Sequence, residues 1–138
     1  MTVKEYFRQA YFLDQRINSK LEQLESLNAI ATRVTSVFSE MPRNPNNSTS
    51  TVANAVEKII DLQSEINTDI DRLVDHKREI VTLIKEIEMP EYQTILEKRY
   101  LSFLSWEQIA ADMNFSIDNV FKAHKKALSL VAFPKTLQ

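Results

Sequence analysis

Lys122, Lys125 and Lys126, with Phe121 beside them, are the residues of this chain best suited to touch something outside it. Cations at helical spacing hold phosphate oxygens, and an aromatic ring among them offers apolar contact to a thymine methyl or to a protein surface. Only Asp118 opposes them in the same segment. The chemistry on offer is binding, with a local and modest basic footprint. Catalytic chemistry has no comparable constellation. The chain has no cysteine and no glycine, which removes thiolate nucleophiles, thiolate metal sites, Gly-rich phosphate loops and dinucleotide fingerprints. Glu57, Asp61, Glu65 and Asp69 sit four apart, and Asp71, Asp75 and Glu79 surround His76. A carboxylate–histidine metal site can be drawn there, but bundle di-metal sites need inward Glu and Glu-x-x-His pairs from several helices. This chain has two histidines, and Arg72, Lys77 and Arg78 interrupt the acids. The expectation is a solvated acidic face partly paired with Arg16, Lys20 or Arg33, with no metal, no cofactor and no enzyme.

The lysines need a helix to carry them, and the residues before them specify one. Ser105-Trp-Glu-Gln108 is a capping box, in which the Ser105 hydroxyl accepts from the Gln108 amide while the Gln108 side chain reaches back. Ser116 is a second N-cap, with Asp118 in the first turn complementing the helix dipole. Between these helices Asn114 tolerates left-handed backbone and replaces the usual turn glycine. Small Ala110 lets the helices approach, and Val120 plugs the angle between them. This is the pattern of a helix-turn-helix, whose second helix lies in the DNA major groove. Ile109, Met113, Phe115, Val120 and Ala123 are its expected core, packed on Leu96 and Tyr100. Trp106 reads as a packing residue and His124 as a solvated or phosphate-side residue. The last helix is expected to reach about Ala132.

Two long periodic segments precede this module. From Val3 to Met41 one seam position reads Val3, Ala10, Ile17, Leu24, Ala31, Phe38 and the other Tyr6, Leu13, Lys20, Leu27, Val34, Met41. Only Lys20 breaks the seam, with Leu21 placed to fill in. A helix over about 3–40 follows, roughly 55 to 60 Å long. Residues 42–50, rich in Pro, Asn, Ser and Thr, predict a loop. A second helix is expected over 51–88, with Ile59, Ile66, Leu73, Ile80 and Ile87 at one seam position and Val56, Gln63, Ile70, Lys77 and Ile84 at the other. Ile60, Val74 and Val81 widen that stripe. Met89–Pro90 ends the helix, because the residue before proline is driven out of α geometry. The expected fold is all-α: a long antiparallel helical hairpin over 1–89, serving dimerisation or partner docking, followed by a three-helix helix-turn-helix module over 90–138.

Composition agrees with a small globular chain, at 138 residues, 43% hydrophobic and 26% charged. No apolar run approaches a membrane span, and the first ten residues lack the apolar core of a signal peptide, so a cytoplasmic location is expected. Net charge is −2 overall, but residues 1–89 carry 11 Lys/Arg against 14 Asp/Glu and residues 90–138 carry 6 against 5. Such a balance favours DNA binding with help over tight binding alone.

The run Ile95-Leu-Glu-Lys-Arg-Tyr-Leu101, then Ser105-Trp-Glu-Gln-Ile-Ala110, then Phe115-Ser116, Val120 and Lys126-Ala-Leu128 resembles region four of bacterial sigma factors. The whole layout is similar to phage late-transcription regulators of the ArpU, RinA and LtrC type. The resemblance implies a DNA-facing set of Ser116, Ile117, Asp118, Asn119, Phe121, Lys122, Lys125 and Lys126, with Arg99 and Trp106 near the DNA backbone. It also implies double-stranded DNA and host RNA polymerase as partners, in the cytoplasm of a bacterial host, and late-gene activation as the function. Where sigma factors carry Arg and Gln for base edges this chain has Ile117 and Phe121, so bidentate guanine reading by Arg is missing. Two alternatives stay open: a small terminase subunit, and a helical interaction protein that does not bind DNA.

Overall fold

A computed structural model of the chain describes the backbone of residues 1–40 and 45–134, and the side chains of residues 1–33 and 51–134. Every regular element among these residues is an α-helix: α1 (Val3–Glu40), α2 (Pro45–Lys85), α3 (Pro90–Tyr100), α4 (Trp106–Met113) and α5 (Ile117–Ser129). The fold class is all-α, as expected. Helix α2 begins six residues before the expected Thr51. Pro45 suits a first helical turn, since its missing N–H would have no partner there, and none of the Asn, Ser and Thr residues after it is a helix breaker on the scale of Gly or Pro. Of the expected loop, residues 41–44 lie outside the described residues. Seam positions Val34, Phe38 and Met41 do as well in respect of their side chains. At its other end α2 stops at Lys85, short of 88, and α5 stops at Ser129, short of 132.

The chain forms two compact units, one of Met1–Leu13 with Arg72–Gln138 and the other of Asp14–Asp71. In the first, Tyr6, Phe7 and Ala10 from the start of α1 join Ile80, Leu83 and Ile84 of α2 and Ile87 just beyond it in one core. Leu96 and Tyr100 of α3 and Ala127 and Val131 at the α5 end complete it. Phe7 is fully buried, and its ring meets that of Tyr100 at 5.2 Å, edge to face. Burying a phenylalanine is worth about 3 kcal/mol. Met89 takes extended backbone (φ −85°, ψ 119°) before Pro90 opens α3. The proline thus turns the chain there, while the core continues across the turn.

In the second unit α1 keeps its expected seam: Ile17 is buried and Lys20, Leu24, Leu27 and Ala31 are half-buried. Lys20 does not break this seam. Its Nζ lies 2.6 Å from the Asp69 carboxylate and 3.7 Å from Glu65, while Leu21, expected to fill in, is exposed. Asp69 is buried, so this part of the acidic face is not solvated. Within each unit α1 lies against α2: Lys20 pairs with Asp69 in the second, and the Tyr6 carbonyl accepts from His76 in the first.

Helix α2 departs from expectation in half of its seam. Ile66 and Ile80 are buried and Ile59 and Leu73 half-buried, as predicted. Their companions are Ala55, Leu62, Asp69, His76 and Leu83, one residue earlier than Val56, Gln63, Ile70, Lys77 and Ile84. Ile84 is buried as well, but Val56, Ile60, Ile70 and Val74 are exposed. Apolar scoring prefers Val and Ile to Asp and His. Here the polar residues win because they are satisfied. Asp69 has its lysine, and His76 donates from Nε2 to the Tyr6 carbonyl at 2.6 Å, so neither carries the penalty of an unpaired buried group.

Removing one member of a buried ion pair is costly, whereas replacing both by apolar residues is nearly neutral. Lys20→Leu should therefore lower unfolding free energy by about 3 kcal/mol, and Lys20→Leu with Asp69→Leu should recover most of it. Urea denaturation of the parent, single and double variants measures both.

Candidate nucleic-acid interface

Helices α4 and α5 are built from their caps inward. Ser105 accepts from the Gln108 N–H while Gln108 Oε1 accepts from the Ser105 N–H, completing the expected capping box. Asn114 is left-handed at φ 57° and ψ 39°, and the Phe115 N–H then returns to the Ala110 carbonyl. Ser116 caps α5 by accepting from the Asn119 N–H at 3.2 Å. Ile109, Ala110 and Val120 form the buried centre, with Leu104, Trp106, Met113 and Phe115 around it. A small residue, a turn residue and a β-branched plug thus stand where the spacing put them.

Helix α5 buries Val120, Ala123, His124 and Ala127. That stripe leaves Ser116, Ile117, Asp118, Asn119, Phe121, Lys122, Lys125 and Lys126 exposed. The structure therefore brings every α5 residue of the proposed DNA-facing set to the outside of one helix. Asp118 sits at its positive end, where the dipole favours an acid. A carboxylate there would accept from a cytosine amino group and would repel a phosphate.

Arg99 and Trp106 are half-buried and lie together. The guanidinium of Arg99 stacks 4.2 Å from the indole centre, and its Nη1 donates to the Leu104 carbonyl at 2.9 Å. Trp106 in turn meets Phe121 edge-on at 5.4 Å and His124 at 4.6 Å. So Trp106 is a packing residue that props the exposed Phe121 ring of α5, and Arg99 keeps most of its N–H donors for other partners.

His124 is a correction. It is neither solvated nor phosphate-facing but buried, with its Nε2 2.6 Å from the Tyr100 hydroxyl. Burial, then the positive charges of Lys4 and Arg99, push its pKa down from 6.5 to about 4. The ring is neutral at pH 7 and can accept the tyrosine proton. Burial likewise pushes Tyr100 up to about 12, against the opposing charges of Arg99 and Arg8. The signal that would have found His124 is positional, since it falls on the same stripe as Val120 and Ala127.

Among the described residues no group of three His, Asp or Glu side chains could hold a metal ion. No helix among them is long and apolar enough to cross a membrane.

Residues 49–131 match the DUF1492 family, described as proteins of unknown function. The matched span is more than half of the chain. The chain belongs to the DUF1492 family. Within it, the DUF1492 match takes in most of α2 and all of α3, α4 and α5, and leaves out α1. Tyr6, Phe7 and Ala10, which fill the core beneath the DUF1492 helices, therefore come from outside the matched span. No curated protein and no solved structure matches the chain.

The histidine makes stability pH-dependent with a definite sign. In the unfolded chain the ring titrates near 6.5, but folded it stays neutral down to about 4. The unfolded state then binds more protons across that window, so His124 lowers stability as pH falls from 6.5 towards 4. Urea midpoints taken at intervals over this range should fall less steeply for His124→Gln than for the parent.

Proposed function

We propose that the protein is a non-enzymatic, DNA-binding transcription regulator whose α5 lies in the major groove, acting together with RNA polymerase. The observation that carries this reading is the helix-turn-helix geometry of α4 and α5. Asn114 makes the left-handed turn, Val120 fills the angle, and the opposite side of α5 presents Lys122, Lys125 and Phe121. Lysines three residues apart share one helix face and can hold phosphates together, while Ile117 and Phe121 suit thymine methyls. The lack of an arginine on this face means little hydrogen-bonded base reading. A second protein bound beside it would supply the missing affinity, and the sigma-region-four likeness names polymerase as that protein. A bacterial host cytoplasm and late phage genes belong to the same proposal.

The long helices support a homodimer within this reading. The Asp14–Asp71 unit is two helices thick and leaves Leu21, Ile30, Val56, Ile60 and Ile70 exposed. Two helices bury little on their own, and a second copy of the same unit would complete a four-helix bundle. Two α5 helices would then address half-sites about one helical turn apart.

The exposed Ile117 and Phe121 also favour one rival, in which α5 docks on a protein and never enters DNA. Gel shifts and filter binding on fragments of the cognate genome separate the two. Lys122→Ala with Lys125→Ala should weaken DNA binding and reduce the salt slope by about one to two units. An unchanged slope overturns the groove docking. Sedimentation at micromolar concentration should show a dimer that Ile60→Glu dissociates. A monomeric parent overturns the symmetric model.

A further inference from the structure

A cleft of about 400 Å³ opens between α1, α3 and the start of α4, all within the first compact unit. Its walls are Arg8, Tyr11, Arg99, Phe103, Ser105 and Gln108, with Tyr100 at the base. No carboxylate lines it. Neither arginine has an Asp or Glu partner within ion-pair distance among the described residues. Arg8 rides on the Phe12 ring at 5.4 Å, Arg99 rides on Trp106 and gives one N–H to the Leu104 carbonyl, and both guanidiniums act on the Tyr100 hydroxyl. Two cations facing one space without a counter-ion repel each other, and an anion placed between them removes that cost.

The other groups agree in sign. Ser105 Oγ and Gln108 Oε1 each accept one hydrogen bond in the capping box. The serine O–H and the glutamine NH₂ take no part in that box and remain as donors for an anion. The Phe103 backbone adds an independent mark. It is left-handed at φ 57°, a conformation that costs a bulky residue about 1–2 kcal/mol, and such strain gathers at binding sites. In that conformation its ring stands against Tyr11 at 5.8 Å, with the Lys77 ammonium 4.7 Å from its centre.

We propose that this cleft is a phosphate seat, in which Arg8 and Arg99 clamp the phosphate oxygens and Tyr11 and Phe103 take the nucleoside attached to it. Guanidinium forks match phosphate in pairs, and the volume exceeds what a bare phosphate needs. The phosphate comes either from a DNA strand or from a free nucleotide. The DNA source rests on the regulator reading above; the seat itself does not.

The test is a titration of the full chain, labelled with nitrogen-15, by inorganic phosphate, by adenosine 5′-monophosphate and by a short duplex. The side-chain signals of Arg8 and Arg99 and the amides of Tyr11 and Phe103 are followed. Saturable shifts at these positions are expected, weakened about tenfold or more by Arg8→Gln. Tyr11→Ala should weaken the nucleotide but not inorganic phosphate. Both residues are exposed, so both variants should fold, which circular dichroism checks. If Arg8→Gln weakens duplex binding and lowers its salt slope by about one, the source is DNA. If the nucleotide saturates and duplex binding is untouched, the source is a free nucleotide. Nucleotide binding that survives alongside a duplex indifferent to Lys122→Ala with Lys125→Ala sinks the regulator reading and leaves the seat standing. No saturable shift with any of the three probes, or shifts unaltered by Arg8→Gln, overturns the seat.

Discussion

Phe7 meets Tyr100 deep in the core, and the outward face of the protein is assembled on that contact. Tyr100, held from below, offers its hydroxyl to His124. His124 fixes one side of Trp106, whose other contacts are Arg99 and Phe121. A single line of aromatic and basic groups thus runs from a side chain sealed in the interior to the exposed Phe121 ring of α5. Each link is worth about 1 kcal/mol, typical of edge-on ring pairs and cation–π contacts. Loosening the bottom of the line would shift everything above it. The N-terminal turns of α1 are therefore part of the packing that holds α5, although they are far from it in sequence and outside the DUF1492 match.

What could be read in advance was whatever depends on neighbours in sequence. The two N-caps, the Asn114 turn, the burial of Ile109, Ala110 and Val120, and the α1 seam are local patterns with local causes. The extended backbone of Met89 before Pro90 follows from sterics within one dipeptide. What escaped depends on partners distant in the chain. Asp69 could not be placed inside without knowing that Lys20 meets it, nor His76 without the Tyr6 carbonyl. His124 looks solvent-facing by residue type, although its stripe with Val120 and Ala127 points inward. The arginine cleft draws Arg8 from α1 and Arg99 from α3, and no spacing rule links residues that far apart.

A chain without glycine must make its sharp turns with residues that resist them. Asn114 does so at little cost, because its short polar side chain tolerates left-handed backbone. Phe103 does so at a larger one, and its ring is held by Tyr11 and Lys77 once there. The two turns frame α4 at either end. The short helix between them is thereby held on both sides by backbone with few alternative conformations, which suits a segment that must present Ser105 and Gln108 at one end and support α5 at the other.

The lysine–aspartate pair between α1 and α2 has a further consequence for how the long helices find each other. Apolar seams with a seven-residue repeat are forgiving: slide one helix by a repeat and aliphatic groups still meet aliphatic groups. A slide of α2 by seven residues would set Lys20 against Leu62 in one direction or His76 in the other, and would leave the Asp69 carboxylate among aliphatic neighbours. Either misalignment strands a charge without a counterpart in a dry environment. The pair thus works as an alignment mark, giving two otherwise slippery surfaces one position at which they lock.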